Sequence, residues 1–468
     1  MLSEYYDCTD HKKKQSLRLR IIDNVKQQLK EQNINVDFGD LDLSGNDQFF
    51  LWHTWFHDVF SKGGFDIVIG NPPYGLINKK QNQGEGVIVP EDIHEIYKQD
   101  IKYVPAKGGM LNIFRLFVVH GGDILQRNGV FCEIFPLAFT CDLSSAKLRE
   151  HILNHYHIVS IEAFPERDNP QKRVFASAKM SVCILTFSKN TSSASFKLRI
   201  NREPFVEEYK STSEYTLEQI KKIDGKNFTI PLTETVDSAI LVKVYSNSVP
   251  YNTIGKCYTG EIDMTFCKKA FTSNASDCKM LRGANVDRYI EREETSQGEK
   301  YYLNIAVLKK IKSGLNEVLF SSPRIIMQGI TGVNERIRLK MTLAHDTFCA
   351  NSINYCLFKT LKDAKCMLAI FNSKLLNYVF KLLSTNSNVN GYEVDNLPIP
   401  SQIPCEIKDK LIELVDTILK TKAANIHNNT SIEESKIDFL VYQLYGLTYD
   451  EVLVVDPETE ITREDYEQ

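Results

Sequence analysis

"GGFDIVIGNPPYG", residues 63–75, is an apolar run brought to a halt by two prolines with an aromatic behind them. Phe65 to Ile69 have the β-branched character of a buried strand, and Gly70-Asn71-Pro72-Pro73 can neither extend that strand nor turn directly into a helix. Asn71 is therefore expected at the carboxyl end of a strand. Outward from this point, residues 12–32 space Leu and Ile among bases in the pattern of one amphipathic helix. Residues 51–60, "LWHTWFHDVF", place both tryptophans just ahead of the strand, where they are expected to pack under a sheet. Residues 75–93 are rich in glycine and amides, as a mobile loop beside a site would be. Next come a helix with Asn112 as its cap, a turn and strand in "RNGVFCEIFPLAF", a helix in "SSAKLREHILNHY", and strands in "IVSIEAF" and "SAKMSVCILTFSK". The alternation predicts an α/β fold over residues 51–190, part of a doubly wound sheet.

Beyond residue 190 the pattern changes. Residues 191–245 are polar and Ser/Thr-rich and read as a bridge; residues 246–400 mix short strands and helices and close on "NLPIP", so an α+β domain is expected there. Residues 401–468 read as a helical tail, with capping boxes predicted at Ser431-x-x-Glu434 and Thr448-x-x-Glu451. Residues 1–50 form the leading helical segment.

With 468 residues, 43% hydrophobic and 25% charged, the composition is that of a globular protein with room for two or three domains. The apolar stretches are too short and interrupted to span a bilayer, and "MLSEYYDCTDHKKKQ" lacks the core of a secretion signal, so a cytoplasmic protein without membrane contact is expected. The 11 cysteines are scattered, with no C-x-x-C pair and no clustered histidines; reduced thiols and no structural metal are expected. A net charge of −4 argues against a protein that grips nucleic acid with its whole surface. The distribution is uneven: residues 251–400 hold 20 Lys and Arg against 14 Asp and Glu, whereas residues 401–468 hold 6 against 15. The basic segment suits either a footprint for phosphates or a solvated face.

The Asn71-Pro72-Pro73-Tyr74 turn points to a specific chemistry. An exocyclic amine on a base is a poor nucleophile because its lone pair is delocalised into the ring. Two acceptors aimed at its two hydrogens localise that pair as the nitrogen attacks an electrophilic methyl group. The Asn71 carboxamide oxygen supplies one acceptor. The Pro72 carbonyl supplies the other, because Pro72 and Pro73 fix the backbone and leave that oxygen without a ladder partner. Tyr74 offers a flat ring on which an extruded base can stack, worth about 1–3 kcal/mol.

The wider stretch "FFLWHTWFHDVFSKGGFDIVIGNPPYG" resembles the central region of adenine-N6 DNA methyltransferases, especially the large methylases fused to, or partnered with, type IIG restriction nucleases. "GGMLNIFRLFVVHGGDILQRNGVFCEIFPLAFTCDLSSAKLREHIL" is similar to the helix, turn, strand and helix that come next in that family, and "RVFASAKMSVCILTF" to its late strand. The resemblance implies that Phe175 stands opposite Tyr74, sandwiching the extruded adenine. "LRGANVDRYI", "SPRIIMQGITGVNERIRLKM" and "NLPIP" resemble the target-recognition domain of the family. The likeness implies a restriction-modification methylase that takes S-adenosylmethionine as donor and double-stranded DNA as substrate. Arg324, Arg336, Arg338 and Lys340 lie in one of these segments and can contact phosphates or guanine edges; equally, "RIRLK" reads as the wet face of a strand.

One departure stands against the matches. The family binds its cofactor through a strand, a glycine-bearing loop and an acidic residue on the next strand. No such unit is found; Gly84-x-Gly86, Gly283, Gly329 and Gly332 lack the flanking strand and acid. No residue is thus assigned to the cofactor, and a separate subunit or upstream domain carrying the cofactor loop and a nuclease is expected. Two other classes fit parts of the pattern: a glutamine or RNA N-methyltransferase, since release-factor methylases use the same turn, and a DNA-binding specificity module without catalysis.

Overall fold

A computed structural model describes residues 1–31, 33, 52–78, 86–88, 91–190, 195–293, 301–332, 335–384 and 387–467. It forms two compact units, Met1–Thr235 and Val236–Gln468. The predicted leading helix is present as α1, His11–Glu31.

The first unit is built on a six-stranded mixed sheet. Its members are β1 (Phe65–Gly70), β2 (Leu125–Pro136), β3 (His157–Phe164), β4 (Val182–Ser188), β5 (Phe196–Ile200) and β6 (Ser213–Tyr215). They lie in the order β1-β2-β4-β3-β5-β6. β1 runs parallel to β2 and β3 parallel to β5, while β4 is antiparallel to both β2 and β3. Between them stand α2 (Ile113–Ile124) and α3 (Ala146–His155), and α4 (Leu217–Asp224) follows β6. Asn112 caps α2 as expected, its side chain accepting from the Phe114 N–H at 3.3 Å.

One face of this sheet carries the core. Val68 is in register with Phe131, Phe131 with Phe187, and Ile161 with Leu185. The Phe131 and Phe187 rings stack at 4.3 Å, and Phe114 of α2 stacks on Phe135 at 5.2 Å. α2 approaches closely because Gly121 has no side chain: a Cβ there would stand 2.5 Å from the Phe131 ring. Two buried arginines tie the loops beneath. Arg149 donates to the carbonyls of Phe139 (2.7 Å), Asp142 (2.9 Å) and Phe228 (3.0 Å), and Arg115 to those of Gly108, Ser144 and Met110. Carbonyls that accept from most of its donors make an arginine a tolerable core residue.

Two expectations change here. Residues 195–235 are no bridge: β5 pairs with β3, and β6 and α4 follow, so the polar composition concealed an extension of the sheet. β1 forms as predicted but is not a buried strand; Ile67 is 66% and Ile69 77% exposed, and no described strand pairs with the outer edge of β1. Trp52 lies against Phe65 at the start of β1 and against His120 of α2. Residues 79–85 and 89–90 of the glycine-rich loop, including Gly84, lie outside the described residues.

In the second unit, Cys257–Thr259, Ile353–Leu357, Arg324–Gln328 and Met341–Ala344 form an antiparallel sheet in that order. A smaller sheet joins Phe271–Thr272, Tyr302–Leu303, Cys278–Leu281 and Phe348–Cys349. Helices Leu361–Asn372, Lys374–Leu383, Cys405–Ala424 and Ser431–Leu444 pack together, so residues 401–468 belong to this body and are not a separate tail. The Asn372 side chain accepts from the Met341 N–H and donates to its carbonyl, fastening a helix end to the sheet edge. The Thr448–Glu451 capping box is present. Ser431 is not the cap predicted for its helix; Thr430 holds that position and donates to Glu434 at 2.8 Å. No single described helix is long and apolar enough to cross a membrane.

Candidate functional site

The carboxyl end of β1 delivers the turn. β1 stops at Gly70, and the backbone passes through exposed Asn71, buried Pro72 and exposed Pro73 to half-buried Tyr74. The Tyr74 hydroxyl lies 2.7 Å from the Asn71 Oδ1 and 3.0 Å from the Ile134 carbonyl oxygen of β2. A hydroxyl has one proton, so it serves these two acceptors alternately and leaves at least one lone pair of the Asn71 oxygen for another donor. Burial, with lesser contributions from Cys183 and Glu133, pushes the Tyr74 hydroxyl up to about 12. It therefore remains a donor at every pH at which the chain works.

Phe175 comes from a loop between β3 and β4, far away in sequence, and the fold sets it beside Tyr74. The two ring centroids are 6.3 Å apart and tilted by 58°. The loop is internally braced: Ser181 Oγ donates to the Pro165 carbonyl at 2.7 Å, and the Glu166 carboxylate accepts from the Asp168 and Asn169 N–H groups at 2.8 and 3.0 Å. A flat group between two rings needs about 3.5 Å on each side, so about 7 Å in all. The rings touch each other in this state and admit a base after a separation of under about 2 Å and a rotation to parallel.

Glu133 is a residue that motif reading passed over. It is 4% exposed, sits on β2 in register with Gly70, and lies on the face that also carries Phe131 and Phe135. Gly70 makes room for it: a Cβ there would stand 3.1 Å from Glu133 Oε1. Its Oε2 has no hydrogen-bond partner among the described residues, and burial pushes the carboxyl up to about 7. The available signal was a lone acid inside the apolar run "FCEIF".

The four basic residues expected to meet DNA are not equivalent. Arg324 is fully buried, holds Glu261 through two nitrogens at 3.0 and 3.1 Å, donates to the Thr347 carbonyl and lies 4.8 Å over the Tyr355 ring. Arg338 is also buried, bonded to Ser384 and Thr331 and lying over the Phe380 ring. Neither guanidinium faces solvent, which corrects the expectation that they contact phosphates or bases: both are internal ties. Lys340 pairs with Glu335, and exposed Arg336 pairs with Glu458.

The first unit thus ends a strand in Asn-Pro-Pro-Tyr at the edge of an α/β sheet and sets an aromatic beside the tyrosine. Residues 7–169 match the family described as Eco57I restriction-modification methylase. Over nearly its whole length, 95%, the chain is 22% identical to a protein of Methanocaldococcus jannaschii named as a type II restriction enzyme and methyltransferase, of which it covers 38%. It thus spans well under half of that relative. Among solved structures it is similar to the type IIG restriction endonuclease BpuSI (14% identity, TM-score 0.35, 86% of this chain and 55% of that one). It is also similar to the type IIL enzyme MmeI, solved in complex with DNA (11% identity, TM-score 0.47, 90% and 58%).

Proposed function

We propose that this chain acts in the transfer of a methyl group from S-adenosylmethionine to N6 of adenine in double-stranded DNA, as part of a type IIG restriction-modification system. The observation that carries this reading is the convergence of the Asn71 carboxamide, Pro72 and the Tyr74 and Phe175 rings at the end of β1. Asn71 Oδ1 and the Pro72 carbonyl accept the two hydrogens of the target amine and localise its lone pair, and Tyr74 and Phe175 hold the extruded base between them. The Tyr74 hydroxyl, donating to Asn71 and Ile134, sets the carboxamide in place. The paired rings favour a base over the amide of a protein glutamine as the group held.

The described residues fit the target side of the reaction and not the donor side. When bound, S-adenosylmethionine supplies an electrophilic methyl group; no described strand with a glycine loop and a following acid stands beside β1 to hold it. A parallel strand with its apolar side chains in water and one edge open is out of its usual setting. We therefore assign the outer edge of β1, with Ile67 and Ile69, to a further α/β element that carries the cofactor loop, in a separate subunit or an upstream domain.

The test is single-molecule sequencing of DNA from a methylation-free host expressing this chain with and without Asn71→Ala, beside binding of the purified chain to duplexes holding a mismatched adenine. N6-methyladenine at one motif, lost with Asn71→Ala, is the expected result if the donor side is supplied within the host. Selective binding of mismatched adenine without methylation supports the target side and the need for a partner. Neither methylation nor preference for the mismatched base overturns the proposal.

A further inference from the structure

In the second unit, the segment 263–270, "DMTFCKKA", forms a tight turn that presents an aromatic to solvent between cations. Asp263 Oδ1 accepts from the Thr265 and Phe266 N–H groups at 2.8 and 2.9 Å, and the Cys267 N–H donates to the Asp263 carbonyl at 2.9 Å. Cys267 and Ala270 are buried, in one core with Ile262, Leu303 and Leu308. With Cys267 anchored inward and its own N–H held, Phe266 is 79% exposed.

The cations gather from two segments. Lys268 and Lys269 are exposed on the same turn. The Asn304 N–H donates to the Ala270 carbonyl at 2.9 Å, which brings the short helix Ile305–Ile311, with exposed Lys309 and Lys310, against this turn. Lys309 pairs with Glu317 at 2.8 Å. Lys268, Lys269 and Lys310 have no carboxylate partner among the described residues. Several cations elsewhere in the unit are answered, Lys243 by Glu451, Arg288 by Glu434, Arg324 by Glu261, Lys374 by Asp456 and Lys408 by Asp363.

A single exposed apolar side chain is ordinary on a protein surface. This one differs because a side-chain-capped turn holds it, and because exposed lysines stand on the same turn and on the short helix bonded to its end. Lysines that keep no internal partner are free to replace counterions on phosphates, and an aromatic on a stiff turn can enter a base step that those phosphates flank. We infer that Phe266, Lys268, Lys269 and Lys310 form a duplex-DNA contact, in which the lysines hold the backbone and the Phe266 ring stacks on a base. This rests on the DNA reading given under the proposed function and takes the place of the contacts expected of Arg324 and Arg338.

The experiment is fluorescence anisotropy of the full chain on a mixed-sequence 30-base-pair duplex at several salt concentrations. It compares the wild type with a Lys268→Ala, Lys269→Ala, Lys310→Ala triple variant and with Phe266→Ala, each checked for unchanged thermal unfolding. The triple variant is expected to flatten the slope of log affinity against log salt by about 3, close to 0.9 for each phosphate that is no longer neutralised. Phe266→Ala is expected to weaken binding by about 5- to 150-fold with the slope unchanged, the range for removing one base stack. Wild-type slope and affinity in both variants overturn the assignment, as does wild-type binding to anionic vesicles with none to DNA. Because no variant touches Asn71 or Tyr74, DNA held through this patch without any methylation would count against the proposed reaction and leave the patch standing. The converse, methylation with wild-type binding in both variants, would remove the patch alone.

Discussion

Replacing Glu133 with glutamine isolates the cost of keeping a carboxyl in the apolar layer behind the Asn-Pro-Pro-Tyr turn. Glu133 shares its sheet face with Phe131 and Phe135, it is buried, and Oε2 has no partner among the described residues. Burial raises the carboxyl from its ordinary 4.5 to about 7. An acid whose folded pKa exceeds its unfolded one binds its proton more tightly in the native state. Between pH 4.5 and 7 the folded chain therefore holds more protons than the unfolded chain, and stability declines as pH rises. Below that window both states are protonated and nothing is lost. Above it the whole difference applies, which for a rise from 4.5 to about 7 amounts to about 3 kcal/mol. Glutamine keeps the shape and cannot ionise. Urea unfolding followed at about pH 4.5 and about pH 8 should thus show Glu133→Gln near the wild type at the lower pH. At the higher pH it should be more stable by about 3 kcal/mol, a midpoint gap of about 1–3 M. Contributions from other titrating groups cancel in the difference between the two proteins. A gap that is the same at both pH values would refute the reasoning, since it would mean that Glu133 ionises in the folded chain as readily as in water.

Three further outcomes are expected from the geometry. Tyr74→Ala and Phe175→Ala should each weaken binding to a duplex with a mismatched target base by about 5- to 150-fold, and a double-mutant cycle should show coupling because the rings touch; additive effects would deny the sandwich. Glu261→Gln leaves the Arg324 charge buried and half answered, so chemical denaturation should register a loss of about 3–5 kcal/mol, while the salt slope of DNA binding stays at the wild-type value; a changed slope with intact stability would return Arg324 to the DNA surface. Ile69→Lys changes an exposed side chain and should move stability by less than about 0.5 kcal/mol, yet it should abolish methylation that depends on an added cofactor-binding partner, read by gel filtration of the mixture and by methyl incorporation. Retained assembly would place that partner elsewhere.

Much of the first unit was legible because its signals are short-range. The halt of β1 on two prolines, the Asn112 cap of α2 and the strands on either side of Phe175 are set by residues within a few positions of one another. The place of Phe175 came from likeness to a family and not from local pattern, and the fold brings its ring to Tyr74. The polar run after residue 190 misled because composition reports solvation of side chains, whereas β5 is made by backbone pairing with β3, which polar residues join as readily.

The sequence by itself determined where the chain bends, starts and stops, and which residue types stand at the turn, since local sterics and hydrogen bonding decide these. Only the tertiary structure decided what each side chain faces. Ile67 and Ile69 read as buried and are exposed, because burial depends on what covers their face of the sheet and not on the strand itself. Arg324 and Arg338 read as surface cations and are buried, because Glu261, Thr347 and Ser384, distant in sequence, answer their hydrogen bonds. Glu133 acquires its raised pKa from burial, at a place where sheet register sets Gly70 beside it. Desolvation and pairing act between segments far apart in the chain, and their sign is set only when the fold has fixed which segments meet.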